Sequence, residues 1–375
     1  MTKIFKRFFA ALMVIFIIFV GCPSINVGIA IADTQIGFTI YFIDVGQADS
    51  ALVLCDQKTM LIDGGNVSDS DLIYTFLRKH GVKHLNYVIG THAHEDHIGG
   101  LAGALNYATV DVAYSPVTSY NSRAFSNFVR YLEKHNVKIT VPTIGDTFYL
   151  GSAKVQLLGP QRMYGNINNT SIVLKITYGE TSFLFTGDAE RESEADILAA
   201  GYDLFSTVLR VGHHGSDTST TYPFLREIMP QYAVISVGKR NSYGHPDDNT
   251  LSRLRDADVL VYRTDIHGDI TCTSDGSVVQ IQTQKNVPPL FHDHVRHGAI
   301  SREHEESTQE NNQSTVNATN TPDAEVSYIG NTRSLVFHYS WCSAVVRMNT
   351  ENRISFSGRD DAFAQSFRPC GICKP

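Results

Sequence analysis

The sequence predicts an α/β fold, sheets covered by helices, and two observations carry that prediction. Between Ile36 and Gln284, short β-rich apolar runs alternate with segments of helical periodicity. Several of those runs end in a cluster of polar residues, as strands do when they leave a core at a working edge. Phe38–Ile43, Ala51–Leu54 and Met60–Ile62 read as strands. Residues 70–80 carry Leu72, Ile73, Phe76 and Leu77 at helical spacing, and Gly81 is a stop signal. Ala124–Lys134 repeats the pattern with Phe125, Phe128, Val129 and Leu132. Strands return at Lys154–Leu158, Ile172–Ile176 and Ser182–Phe185, and a second cycle of strands and helices runs over residues 189–283.

Both ends of the chain differ from this middle. Lys3, Lys6 and Arg7 precede an apolar run from Phe8 to Val20, the charged and hydrophobic parts of an export signal. Ala30-Ile31-Ala32 is a small-x-small cleavage site, so residues 1–32 read as a signal. Val20-Gly21-Cys22 offers a second exit as a lipoprotein box; uncut, the run is a short anchor. From residue 285 to 325 the composition changes, and Glu303–Thr321 has almost no large apolar residue. It cannot bury enough surface to offset its ordering entropy and reads as a disordered linker, with His292, His294 and His297 in a solvated stretch before it. Order resumes at Val326, so residues 326–375 form a second, small domain.

The net charge of −7 gives no basic field for tracking a nucleic-acid backbone, although bound cations would change the local field. Of the 6 cysteines, Cys55 and Cys272 lie in strand-like contexts and read as small buried hydrophobes. His338, Cys342, Cys370 and Cys373 are spaced H-x3-C-x27-C-x2-C, which suits a structural zinc site; a disulfide and an odd thiol are the other reading. A domain this small needs such a staple.

The densest chemistry lies in Thr91-His92-Ala93-His94-Glu95-Asp96-His97, on the loop after an apolar strand, Tyr87–Gly90, and before a helix starting near Ile98. Imidazole and carboxylate in the order H-x-H-x-D-H suit Zn²⁺, Mn²⁺ or Fe²⁺. Further clusters end other strands: Asp63-Gly64-Gly65, Gly187-Asp188-Ala189-Glu190, His213-His214-Gly215-Ser216 and Tyr243-Gly244-His245-Pro246. All can meet on one edge of a layered domain.

The order DGG, HxHxDH, GDAE and HHGS resembles the metallo-β-lactamase superfamily. Ile43–Ser50, Asn168–Ser171 and Tyr243–Pro246 are similar to the hydrolase domain of its ComEC-type, DNA-uptake branch. The resemblance covers about residues 36–284 and implies a four-layer αββα sandwich with a two-metal site between its sheets. By that match His92 and His94 hold the first metal, Asp96 and His97 the second, and Asp188 bridges them. The His213-His214 pair supplies the last histidine, with His214 favoured as the ligand and His213 as a supporting or substrate contact but the choice left open by the sequence, and Asp63 braces the ligand loop. Many members carry a further histidine where this chain has Asn168, a weaker and harder ligand that favours Mn²⁺ over Zn²⁺. Tyr328–Asn331, Phe337-His338, Cys342, Asn352–Phe356 and Arg368–Cys373 are similar to the Ada-type metal-binding module, with His338 in place of a cysteine.

These resemblances imply an exported metal-dependent hydrolase, a phosphodiesterase or nuclease in which two cations activate water. Asp96, His213 and His245 are the candidates for the chemical step: His245 as proton donor or phosphate contact, His213 or Ser216 on a non-bridging oxygen. The expected cofactors are two divalent ions, Zn or Mn, and one structural Zn. The expected partner is DNA or another phosphodiester, with the exported chain either secreted or attached to a membrane through its N-terminus, and no obligate protein partner. A hydrolase of another exported ester or lactone, or a DNA-binding protein without activity, are the alternatives.

Overall fold

A computed structural model describes residues 37–291, 328–340, 342–346 and 348–370. The chain divides into two units, Met1–Gln35 and Ile36–Pro375, and all described residues belong to the second. The export signal, the linker proper, Cys22 and Cys373 lie outside the described residues.

The strands in chain order are β1 (Phe38–Phe42), β2 (Ala51–Cys55), β3 (Lys58–Ile62), β4 (His84–Ile89), β5 (Thr109–Tyr114) and β6 (Ile139–Thr140). They continue with β7 (Thr147–Leu150), β8 (Ala153–Gly159), β9 (Val173–Tyr178), β10 (Thr181–Phe185), β11 (Val208–Arg210), β12 (Tyr232–Ile235), β13 (Leu260–Arg263), β14 (Ile270–Ser274) and β15 (Val279–Thr283). Among the described residues these make two sheets, β15-β14-β1-β2-β3-β4-β5-β6 and β13-β12-β11-β10-β9-β8-β7.

Side-chain alternation along the strands sets the layers. Phe38, Ile40 and Phe42 of β1, Met60 and Ile62 of β3, and Phe183 and Phe185 of β10 enter a common core between the sheets. Leu61 points the other way, into a core with Phe76, Leu77, Leu101, Phe125 and Phe128 of the helices on that side. Leu184 and Leu209 meet Ile197, Phe224 and Leu254 of the helices over the second sheet. The order is therefore helix, sheet, sheet, helix, the αββα sandwich.

The parallel strands position the site. β3 runs parallel to β4 and β4 to β5, and β10, β11, β12 and β13 are parallel neighbours. Asp63, His92, Asp188, His213 and His245 all follow carboxyl ends of these strands, the edge where open α/β sheets gather ligands. One local expectation is corrected. Helix begins at Glu95, not at Ile98, because α1 (Glu95–Ile98) forms a single turn with His94 at its N-cap, before α2 (Leu101–Tyr107). Asp96 and His97 thus sit on a helical turn, whereas His92 and His94 sit on the loop.

Residues 328–370 add a third sheet, ordered β18-β16-β17-β19, from β16 (Tyr328–Asn331), β17 (Val336–Tyr339), β18 (Arg353–Phe356) and β19 (Arg368–Pro369). Its core is Phe337, Phe356, Ala362 and Phe367. It docks on the sandwich through polar contacts: Asp258 accepts from the Asn349 amide at 3.1 Å, Arg333 pairs with Asp256 at 2.8 Å, and Arg368 pairs with Glu227.

Phe183 is 1% exposed and stacks on Phe38 at 4.8 Å in the inter-sheet core. Phe183→Ala is expected to lower the unfolding free energy by about 3–5 kcal/mol, read by urea denaturation. A loss under about 1 kcal/mol would mean that the sheets repack freely, which a close-packed interior does not do.

Candidate metal centre

Asp63 organises the first half of the site. Its Oδ1 accepts the Thr91 amide at 2.8 Å, and its Oδ2 accepts the Thr91 hydroxyl at 2.8 Å and His97 Nδ1 at 2.8 Å. With Nδ1 donating to the carboxylate, His97 presents Nε2 as its ligand atom. The helical turn can approach this strand end because Gly100 has no Cβ; one added there would lie 1.9 Å from the Gly64 carbonyl oxygen.

The second sheet supplies Asp188 and His214. Gly187 has φ +50° and a Cβ on it would meet Ser171 Cβ at 2.8 Å, so glycine precedes Asp188 for backbone reasons. The Asp188 amide donates to Ser171 Oγ at 2.9 Å, and that oxygen lies 3.3 Å from His92 Nδ1. His214 Nδ1 is 3.0 Å from the Ser236 carbonyl, which leaves Nε2 to face Asp96 Oδ2 at 3.2 Å and Asp188 Oδ2 at 3.7 Å. His213 and His214 both adopt left-handed backbone angles, φ 49° and 52°. Two successive non-glycine residues in that region hold strain at the turn that aims both rings.

Ligand atoms of Asp96, His97, Asp188 and His214 lie within 4.8 Å of one another. His92 Nε2 is 3.0 Å from His94 Nδ1 and 3.9 Å from Asp188 Oδ2. His97 Nε2 and Asp188 Oδ1 face each other at 3.2 Å, and both are buried without a hydrogen-bond partner. Buried polar atoms are rarely left so, and two orphaned ligand atoms beside a carboxylate and two imidazoles fit a divalent cation. Asp49, Asp63 and His97 also converge, but Arg210 and Thr91 already engage the two carboxylates, so that group is support.

His213 Nε2 lies 3.7 Å from Asp188 Oδ2, while its Nδ1 meets Thr218 Oγ1 at 3.2 Å and Glu190 Oε1 at 3.4 Å. The His245 ring is 5.6 Å from that of His213, and its Nδ1 is buried without a partner. Asn168 donates to Glu190 Oε1 at 3.0 Å, with its Oδ1 buried and unpartnered, and Ser216 Oγ pairs with Thr218 Oγ1 at 3.0 Å. Both therefore meet the residues around His213, one step outside the carboxylate and imidazole ring. In the tail, His338, Cys342 and Cys370 have ligand atoms within 4.8 Å, and His338 Nδ1 is buried without a partner. The Cys370 amide donates to the Phe337 carbonyl at 2.9 Å, which sets Cys370 beside His338.

Three supports received no role from the motifs, although Ser171, Glu190 and Asp49 lie within them: Ser171, Glu190 and the Arg210–Asp49 pair. Arg210 donates from Nε to Asp49 Oδ1 at 2.9 Å, pairs again with Oδ2, and donates from Nη1 to the Gly187 carbonyl at 2.7 Å. Burial lowers its pKa to about 9. An arginine inside the apolar run Val208–Val211 is the signal that points to it.

The charges oppose one another. Burial works against a protonated His97, but Asp188 and Asp63 overcome it and hold its pKa well above the usual histidine range. Burial also raises Asp188, yet His97 and His214 hold it well below the carboxylate range. Burial and then His97 drive His92 well down, so it is neutral and ready to ligate.

A model of the metallo-beta-lactamase superfamily matches residues 43–239, more than half of the chain, and the chain belongs to that superfamily. Within it, the chain is similar to proteins of the competence branch. ComE operon protein 3 of Bacillus subtilis is 32% identical over 247 residues, 61% of this chain and 32% of that protein. Competence protein ComA of Neisseria gonorrhoeae is 30% identical over 244 residues, 64% of this chain and 32% of that protein. The match thus spans about a third of the length of these relatives. Among solved structures, the metallo-beta-lactamase fold protein YhfI of Bacillus subtilis is 13% identical, with a TM-score of 0.40 over 65% of this chain and 100% of that one. The chain is thus a metal-dependent hydrolase by superfamily, and it is similar to the competence proteins over that domain.

Because its folded pKa lies above the unfolded one, protonated His97 stabilises the metal-free fold below about pH 6.5. That contribution is lost as pH rises through the raised value. Loading a cation at neutral pH must displace this proton. Calorimetric titration with Mn²⁺ or Zn²⁺ in buffers of different ionisation enthalpy is expected to show proton release and affinity rising with pH. Metal uptake with no proton released at neutral pH would count against His97 as a ligand.

Proposed function

We propose that this chain is an exported phosphodiesterase acting on DNA, with two divalent ions held by His92, His94, Asp96, His97, Asp188 and His214. The observation that carries the reading is the pair of buried, partnerless ligand atoms, His97 Nε2 and Asp188 Oδ1, at the meeting of the two sheets. Cations bound there would supply Lewis acidity and a water acidic enough to lose its proton near neutral pH. The names of two relatives, a competence protein and a recombination protein, favour DNA over other phosphodiesters.

This chain's own residues do the rest. Asp63 fixes the tautomer of His97, and Ser171, with its Oγ 3.3 Å from His92 Nδ1, helps to aim His92. His213 is 22% exposed and anchored through Nδ1 to Thr218, so its other face is free to meet a non-bridging phosphate oxygen. Burial, and then His213 and His214, lower the pKa of His245. A neutral His245 suits hydrogen bonding to an anionic oxygen better than delivery of a full proton. Export rests on Lys3, Lys6 and Arg7 before the apolar Phe8–Val20. Among the described residues no helix is long and apolar enough to cross a membrane.

For the tail we propose one structural zinc held by His338, Cys342 and Cys370, with Cys373, which lies outside the described residues, as the fourth ligand. Buried His338 Nδ1 supports it, because an imidazole nitrogen at 5% residue exposure needs a partner.

With Mn²⁺ or Zn²⁺, the purified chain is expected to cleave single- or double-stranded DNA and bis-(p-nitrophenyl) phosphate. Asp188→Asn should abolish both cleavage and metal uptake by the main domain, and His245→Ala should cost about 10²–10³ in kcat. Full activity in Asp188→Asn would refute the metal assignment. Elemental analysis of Cys342→Ser is expected to show one zinc fewer per chain, and unchanged zinc would remove the tail site.

A further inference from the structure

The loop after β12 carries a feature that metal chemistry does not need. Tyr243 is 72% exposed, the most open large hydrophobic side chain among the described residues. Its ring lies 5.8 Å from that of His245 with 25° between planes, a stacked pair. The His245 ring in turn stands 5.6 Å from His213, whose Nε2 is 3.7 Å from Asp188 Oδ2. Aromatic rings therefore lead from solvent to the ligand cluster in three steps, and the outer face of the last one is open.

The loop is built to hold that ring still. Asn241 Nδ2 donates to the carbonyls of Gly238 at 3.0 Å and His245 at 2.6 Å, and its Oδ1 accepts the amides of Tyr243 and His245 at 3.1 Å each. One side chain thus fixes both ends of the Tyr243–His245 turn. Lys239 and Arg240, both exposed, lie earlier on the same loop. They put two positive charges three and four positions before Tyr243, in a chain of net charge −7.

A rigid, open tyrosine face with cations on the same loop suits unpaired nucleotides: a base stacks and the neighbouring phosphates meet the cations. We propose that Tyr243 is a stacking platform for a nucleobase next to the scissile phosphate, with Lys239 and Arg240 on flanking phosphates. It selects single-stranded nucleic acid, because a base in a duplex is already stacked. The inference rests on the phosphodiesterase reading and specifies its substrate.

The test is a cycle of two enzymes and two substrates, using the full chain with Mn²⁺. Wild type and Tyr243→Leu act on a single-stranded oligonucleotide and on the same strand with abasic sites flanking the cleavage point. Tyr243→Leu is expected to raise KM on the intact strand by about 5- to 100-fold, the range for loss of one stacked base. The difference between the two enzymes should vanish on the abasic strand, and Tyr243→Phe should restore the wild-type KM. In Lys239→Gln/Arg240→Gln, the salt slope of binding should fall by about 0.7 for each lost phosphate contact. If wild type cleaves the intact strand and Tyr243→Leu does so with the same KM, the platform fails and the phosphodiesterase stands. An equal loss on intact and abasic strands would make Tyr243 a mere prop for His245, which also overturns the proposal. If wild type cleaves no nucleic acid with any divalent metal, the phosphodiesterase reading fails and the platform falls with it.

Discussion

The carboxylate of Asp63 is the contact on which the site depends. It is 1% exposed and takes three hydrogen bonds, two from Thr91 and one from His97. Removing it would free the strand end that launches the ligand loop and would release the tautomer of His97 in the same stroke. Asp63 itself has φ 57°, an uncommon conformation for a non-glycine residue, which the surrounding contacts impose. Strain at this one residue is exchanged for the placement of Thr91 and His97 on the ligand loop.

Behind this contact lies a buried ion pair. Arg210 and Asp49 neutralise each other out of water, and Arg210 also grips the carbonyl just before Asp188. Losing one member of such a pair costs about 3–5 kcal/mol, because the other charge is left buried and unpaired. The pair therefore resists any drift of Gly187, and with it of Asp188. Glu190 works similarly further out, where it meets Asn168, Asn166 and His213.

What could be read from the sequence followed strong periodicities. Phe38, Ile40 and Phe42 alternate with Thr39 and Tyr41, so the strand and its core face were both visible. The helix with Leu72, Ile73, Phe76 and Leu77 appears as Ser70–Lys79, within a residue of the expected ends. The start at Glu95 was hidden because its turn is only four residues long and carries ligands where a helix usually carries its pattern. The ligand types were legible because histidine and aspartate cluster at fixed spacing. Ser171 and Arg210 were not, since a serine in a loop and one arginine in a strand acquire meaning only from a partner far along the chain. Arg210 meets Asp49 across 161 positions, a distance no local pattern encodes.

The two sheets contribute unequally to the centre: His92, His94, Asp96 and His97 follow β4 of one sheet, while Asp188 and His214 follow β10 and β11 of the other. An ion seated among them would be a rivet between two halves of a sandwich that apolar packing and the Arg210–Asp49 pair already join. Ligand binding to the folded state adds about 2.7 kcal/mol of stability at a hundredfold excess over Kd. The resilience of the whole domain is then set by the cation activity around it. In a metal-poor medium the protein would lose its firmness together with its chemistry, so scarcity of metal would act on its lifetime as well as on its rate.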